Sequence, residues 1–514
     1  MTVQLLDCTL RDGGYINEWN FGRDTIRETL ASLTQAGLDY IEMGFMKTVP
    51  YNPDKTLFCA ISDFIPFIPT ERRQSKYYGM IALGDYAIED LPDFDGKSID
   101  GIRVIFKKNK ITEGLTFAQQ VKAKGYELFI NPTFVDQYTD SELLALAEQA
   151  NHIHPKGFCI VDSMGIISPE NLIRMFMLLD HNLLPDIKIG FHSHNNLQMS
   201  FMNAKALVDL RSKRNLVIDV SVMGMGRGAG NLNAELMISY LNQNYGTKYN
   251  LLPILKIADE HIAKIFAKTP WGYSIPYFLA ASVKCHPNYA SYLVNKQTIS
   301  IEAINAILLR IPEQKKASFD ENLIKQLYLD YQQNAVDDSE ILKELQTQID
   351  NRPILLVGPG KTLLSHHKDI EHFIAQKKPF IVSLNFRPDD MPIDRVFISN
   401  AKRFAEQKDL THVIITSNIK ADLPALNYAS YLNNSEMYDN SFLMFLRVLM
   451  KFGVRKVFAA GLDGFQANDN YAKPDMINNA KLGEFDKRND IMRQMILQLS
   501  RQIDIRFVTP SLYE

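Results

Sequence analysis

The 514-residue chain has only four cysteines, two tryptophans and a net charge of just −3. Cys8, Cys59, Cys159 and Cys285 stand far apart and form no CxxC pair, so neither a disulfide framework nor a thiolate zinc site is expected. Buried free thiols in a reducing cytoplasm are the expectation. There is no uninterrupted run of about 18 apolar residues, which argues against a membrane span. The opening MTVQLLDCTLRDGG lacks the basic segment and long apolar run of a signal peptide, and a cytoplasmic location is expected. The near-neutral balance gives no support for nucleic-acid binding. A hydrophobic content of 46% with 22% charged residues belongs to a globular protein, and the length calls for two or three domains.

Short apolar runs alternate with amphipathic stretches over the first 240 residues. Strand-like runs are VQLLDC (3–8), YIEMGF (40–45), YYGMIAL (77–83), GIRVIF (101–106), YELFINP (126–132), GFCIVD (157–162), KIGFHSH (188–194) and LVIDVSV (216–222). Helical spacing lies between them, as in Ile26, Leu30 and Leu33 and over 140–150, 168–180 and 198–211. Eight strands alternating with helices predict a parallel sheet closed into a (β/α)8 TIM barrel over residues 1–245. An open doubly wound sheet also fits the alternation. Residues 246–312 are expected to form a helical extension over the barrel mouth, and 313–351 a polar helical linker. A C-terminal α/β Rossmann-like domain is expected over 352–514, from the runs PILLVG (353–358), FIVSL (380–384), RVFISN (395–400), HVIITSN (412–418), KVFAAG (456–461) and IRFVTP (505–510).

Polar motifs stand at the ends of the first group of strands. In GFHSHNN (190–196), alternate strand residues face one side, so His192 and His194 point together. With Asp12 of LDCTLRDGGY (6–15) they offer two neutral nitrogens and one charged oxygen. That donor set suits a catalytic divalent ion, Mn²⁺ first, with Zn²⁺, Co²⁺ or Mg²⁺ as alternatives. All five motifs, the two above with IEMGF (41–45), VDSMG (161–165) and GMGRGAGN (224–231), fall at strand carboxyl ends, where barrel active sites are built.

Together, in this order, they resemble the metal-dependent pyruvate aldolase and acyltransferase superfamily, whose members include 4-hydroxy-2-oxovalerate aldolase and hydroxymethylglutaryl-CoA lyase. The resemblance covers about residues 1–300. It implies a class II-type aldolase that makes or breaks a bond between pyruvate, or another 2-oxo acid, and an aldehyde, through a metal-stabilised enolate. Small-molecule partners and a homo-oligomer are compatible with this reading. The resemblance implies that Arg11 stabilises the enolate charge; an orienting salt bridge to Asp12 is its other reading. It implies that Ser163 contacts the substrate carboxylate or a metal-bound oxygen, and that Asn231 is a further ligand or a loop-stabilising amide. Glu42 and Asp162 are expected to position these groups. At Tyr15 the chain departs from the aldolases, which carry a catalytic histidine there. The base then falls to Tyr15 in a relay, to His286 or to a metal-bound water.

Other readings stay open. One is an acyl-CoA-dependent synthase of the isopropylmalate or homocitrate type. Another is a barrel reduced to a sensor or scaffold. The C-terminal VGPGKTL turn can present backbone N–H groups to a phosphate or serve as a tight turn. It fits neither the P-loop nor GxGxxG, because positions 355 and 363 are leucine. VGPGKTL, FISN and AAGLDGF (459–465) faintly resemble sialyltransferase-like and pterin diphosphokinase-like folds. That resemblance suggests a bifunctional enzyme of surface-polysaccharide sugar metabolism.

Overall fold

Each of the eight N-terminal apolar runs forms a strand in the computed structural model, which describes residues 2–466, 471–473, 476 and 484–514. They are β1 (Val3–Asp7), β2 (Tyr40–Met46), β3 (Lys76–Ala82), β4 (Gly101–Phe106), β5 (Glu127–Pro132), β6 (Gly157–Asp162), β7 (Lys188–Ser193) and β8 (Leu216–Val220). Neighbours pair in parallel around the ring. β1 meets β2 at Leu6↔Tyr40 and β8 at Val3↔Leu216, which closes a (β/α)8 barrel among the described residues. The open-sheet alternative is thereby set aside. A two-residue strand, Leu57–Phe58, flanks β2 outside the ring.

Local signals explain the surrounding helices. Helix Arg23–Ala36 buries Ile26, Leu30 and Leu33 and stops at Gly37, whose φ of 80° a side chain would resist. Thr139 and Glu142 form a reciprocal capping box at the start of Asp140–Ile153, and Ser168 with Pro169 opens Pro169–Asn182. Every βα connection therefore begins at the same end of the barrel, and the polar motifs collect there.

The second sheet has seven parallel strands among the described residues: β9 (Ile354–Val357), β10 (Phe380–Leu384), β11 (Arg395–Ile398), β12 (Val413–Thr416), β13 (Ala425–Leu426), β14 (Lys456–Ala460) and β15 (Asp504–Phe507). Their order is β13-β12-β11-β10-β9-β14-β15. Alternate residues serve two cores. Ile354, Leu356 and Val382 pack with helix Ser441–Lys451, while Leu355, Val357 and Ile381 pack with Leu363 and Ile370. Apolar side chains on both faces explain the unbroken runs in the sequence. The two-residue β13 is too short to leave such a run.

The chain divides into two units, Met1–Asn288 with Gln314–Phe319, and Tyr289–Glu313 with Asp320–Glu514. This differs from the expected extension over 246–312 and linker over 313–351. Ile254 and Ile257 of helix Leu251–Ile257 join the barrel core, but Tyr289–Glu313 lies in the second unit. There Thr298 Oγ1 meets the Tyr328 hydroxyl at 2.6 Å, and that hydroxyl lies 2.5 Å from Asp439 Oδ2. The expected linker is a packed part of this unit too, because Ile341, Leu345 and Ile349 of helix Ser339–Ile349 enter its sheet core. No described helix is long and apolar enough to cross a membrane.

Candidate active site

The turn after β1 winds into the short helix Thr9–Asp12, and this carries Arg11 and Asp12 into the barrel end. β7 delivers His192, and His194 follows it. All four side chains are at least 94% buried. One donor atom each from Asp12, His192 and His194 lies within 4.8 Å of the others, close enough to share one ion. His194 Nδ1 stands 3.9 Å from Asp12 Oδ2.

A chain of buried charge supports this group. Arg11 places Nη1 2.5 Å from Asp12 Oδ1 and Nε 2.7 Å from Glu42 Oε2. Arg103 reaches the same Glu42 oxygen at 3.3 Å and Asp219 Oδ2 at 2.7 Å. Asp219 Oδ2 in turn lies 3.0 Å from His192 Nδ1. Such carboxylate–imidazole contacts fix the orientation of metal-binding histidines. Three carboxylates, Asp12, Glu42 and Asp219, are thus held by Arg11 and Arg103, and Arg227 also acts on Asp12.

Further observations test the fit. The Asn231 amide donates to Asp12 Oδ2 at 2.8 Å and to the Met225 carbonyl at 3.1 Å. Its buried Oδ1 has no hydrogen-bond partner, and neither has His194 Nδ1. An oxygen and a nitrogen left unmatched beside an anionic carboxylate suit a divalent ion. Burial lowers the His194 pKa to about 3 against the opposing pull of Asp12, with Arg227, His192 and Arg11 adding to the fall, so the ring stays neutral and keeps a lone pair. Burial pushes Asp12 up, but Arg11, His194, His192 and Arg227 more than offset it and hold the carboxyl well below its usual range. The residues present therefore fit a divalent ion. Gly226 makes room for them: a Cβ there would lie 2.2 Å from Asn231 Nδ2 and 2.7 Å from Asp12 Oδ2.

A cavity of about 490 Å³ opens above the group. Arg11, Tyr15, Ser163 and His286 line it beside the three ligand candidates. Arg11 Nη2 has no protein partner among the described residues, so one edge of the guanidinium is left for substrate. Ser163 Oγ accepts from the Phe134 N–H at 2.9 Å and keeps its own proton to donate. His286 Nε2 stands 3.5 Å from Arg227 Nη1, and burial, Arg227 and Lys107 lower its pKa to about 3. Tyr15 packs edge-on against Trp19 at 4.8 Å, and burial raises its pKa despite Arg227. Glu42 sits behind Arg11 with no exposure. Asp162 also stays out of the cavity, accepting from Ile166 N at 3.0 Å and Ile167 N at 3.1 Å.

Asp162 has a pH consequence. Burial raises its pKa from 3.8 to about 7, so the folded state holds a proton that the unfolded chain has released. Stability is therefore lost as pH rises from about 4 to about 7 and levels off above, by at most about 4 kcal/mol. Asp162→Asn removes that slope. The melting temperature of the variant, measured relative to the parent, should climb through this window and flatten above it. A constant difference would refute the raised pKa.

Sequence reasoning missed Arg103, Asp219, Arg227 and Asn131. The first two are single opposite charges inside the apolar runs GIRVIF and LVIDVSV, and that oddity was the available signal. Arg227 sits in the glycine motif, and its N–H approaches Asp12 Oδ2 at 3.3 Å. Asn131, next to the last residue of β5, has a buried, unmatched Oδ1 at the cavity wall.

A parallel barrel with a metal-capable Asp/His/His group and a buried arginine at its carboxyl end defines a class: barrels built for metal-dependent chemistry on small molecules. Residues 108–260 match the family model described as HMGL-like. An oxaloacetate decarboxylase of Mycobacterium tuberculosis is 24% identical over 279 residues, 53% of this chain and 79% of that one. A 4-hydroxy-2-oxovalerate aldolase of Thermomicrobium roseum is 26% identical over 306 residues, 58% of this chain and 82% of that one. Among solved structures, the N-terminal domain of a Bacteroides vulgatus protein is 25% identical with a TM-score of 0.49, covering 57% of this chain and 96% of its own. The two named relatives support a lyase kind of activity for the first unit.

Proposed function

We propose that the barrel is a divalent-metal-dependent aldolase, cleaving or forming a C–C bond between pyruvate, or a related 2-oxo acid, and an aldehyde. The observation that carries this is the Asp12, His192 and His194 group on the cavity wall with the open edge of Arg11 beside it. The relatives named aldolase and decarboxylase agree with it, since both kinds of reaction release a 2-oxo acid enolate.

Asp12, His192 and His194 hold the ion in this reading, with the Asn231 carbonyl as a fourth donor and Mn²⁺ as the proposed metal. A bound divalent ion polarises the 2-oxo carbonyl and stabilises negative charge on its oxygen. Arg11 supplies the second stabilising charge through Nη2, held in place by Glu42 and Asp12. Ser163 donates to the substrate carboxylate. Tyr15 and His286 are the proposed proton-moving groups. Burial keeps the Tyr15 hydroxyl protonated and able to donate, and keeps His286 neutral but a weak base, with Nδ1 accepting from Asn288 N.

The test is exchange of pyruvate methyl protons in deuterated water by the full chain loaded with Mn²⁺, followed by a screen of aldehydes. Exchange is expected, and it should fall by about 10²-fold or more in His286→Asn. A metal-loaded protein that leaves pyruvate unexchanged, but condenses acetyl-CoA with a 2-oxo acid, would replace this reading with the synthase one.

A further inference from the structure

The strand order of the second sheet reverses at one place. The chain begins at β9, steps outward through β10 to β13, and returns to β14 on the other side of β9. Open parallel sheets bind ligands beyond the carboxyl ends of the strands at such a reversal, because the connections on either side diverge and leave a crevice. Here β9 and β14 run into Gly358-Pro359-Gly360 and Gly461-Leu462-Asp463. A cavity of about 210 Å³ lies at these ends, within the second unit.

The walls carry three cations, Lys296, Arg403 and Arg488. No carboxylate stands within ion-pair distance of Lys296 among the described residues. Its Nζ donates to the Glu436 carbonyl at 3.3 Å and lies 4.1 Å from the centre of the Tyr438 ring. Burial lowers its pKa; Asp439 opposes this, and the neighbouring Arg488 and Lys325 add to it. Arg403 pairs with Glu406 through Nη1 at 2.9 Å and lies 5.8 Å from the Tyr471 ring centre, and Arg488 lies 5.7 Å from the Phe465 ring centre. The wall carboxylates are already engaged. Asp463 accepts from Thr362 N and Oγ1, and Asp439 from the hydroxyls of Tyr328 and Tyr428.

The glycine turn itself is no phosphate cradle. Its Gly358 and Gly360 N–H groups donate to Ala460 and Gly461 carbonyls at 2.9 and 2.8 Å, and the Thr362 N–H is spent on Asp463. A Cβ at Gly360 would lie 2.3 Å from the Asp463 carboxylate, so this glycine serves close approach. Recognition falls to side chains. We propose that this crevice is a second binding site, for a phosphorylated small molecule whose phosphate groups lie among Lys296, Arg403 and Arg488. Arginine forks match phosphate oxygens in pairs, and three cations suit a polyanion better than a single carboxylate. Phe465 and Tyr471 line the same crevice and offer apolar faces to the rest of the molecule.

Calorimetric titration of the full chain tests this, with inorganic pyrophosphate, a nucleoside diphosphate and a hexose 1-phosphate as probes. Saturable binding of at least one is expected, weakened about tenfold or more by Arg403→Gln and by Lys296→Met, with the barrel's metal content unchanged. A preference for the nucleoside diphosphate or for the hexose phosphate assigns the source; equal affinities leave phosphate alone as the recognised group. Lys296 packs on Tyr438, so thermal unfolding checks its variant, and Arg403→Gln decides if that variant fails to fold. Absence of saturable binding by all three probes at millimolar concentration overturns the proposal. So does binding that the folded variants leave unchanged.

Discussion

Alanine at His192 or His194 is expected to abolish turnover and to strip the divalent ion from the barrel while the chain stays folded. Each histidine is one of three strong donors in the Asp12, His192 and His194 group, and two donors do not hold a labile ion against water. The fold should survive, since Asp219 keeps its 2.7 Å contact with Arg103 when the His192 ring is removed. Asp219→Asn gives the graded comparison. It keeps all three donors but weakens the orientation of His192, and such outer partners cost about 10–100-fold in metal affinity. Metal analysis after dialysis should rank the parent above Asp219→Asn, and Asp219→Asn above either alanine variant. Full metal content in a histidine variant would end the aldolase reading.

Arg11→Lys is expected to lower kcat by about 10²–10³-fold with little change in KM. The lysine keeps a positive charge near Asp12. It cannot contact Glu42 and Asp12 together while offering a third N–H to substrate, as the guanidinium does through Nε, Nη1 and Nη2. Charge on the substrate oxygen grows toward the transition state, so the loss falls on rate rather than binding. A variant with normal kcat would leave Arg11 only its role of orienting Asp12.

The barrel was legible because its eight strands are buried on both faces and leave apolar runs, and because the helices between them keep one apolar stripe. The grouping of Asp12, His192 and His194 was legible for a related reason: polar residues at strand ends interrupt those runs. Arg103 and Asp219 escaped because their pairing is a contact across the barrel interior, 116 residues apart in sequence. The unit boundary escaped for a different reason. The amphipathic pattern of helix Ser339–Ile349 shows that Ile341, Leu345 and Ile349 share a face, but the pattern holds no information on which core receives it. The glycine turn at 358–360 left two readings open in sequence, and the satisfied N–H groups choose the tight turn.

The short segment Gln314–Phe319 belongs to the barrel unit although the residues on either side of it belong to the other. Ala317, Ser318 and Phe319 line the active-site cavity, and the Ser318 hydroxyl takes the Lys107 ammonium at 3.0 Å. Translation therefore finishes all eight barrel strands before it supplies this last piece of wall, with Tyr289–Glu313 emerging in between. No single breakpoint in the gene separates the two units. A recombinant ending at Pro312 would inherit every metal-ligand candidate and an incomplete pocket, so the barrel cannot be exchanged between genes as an intact enzyme by one crossover.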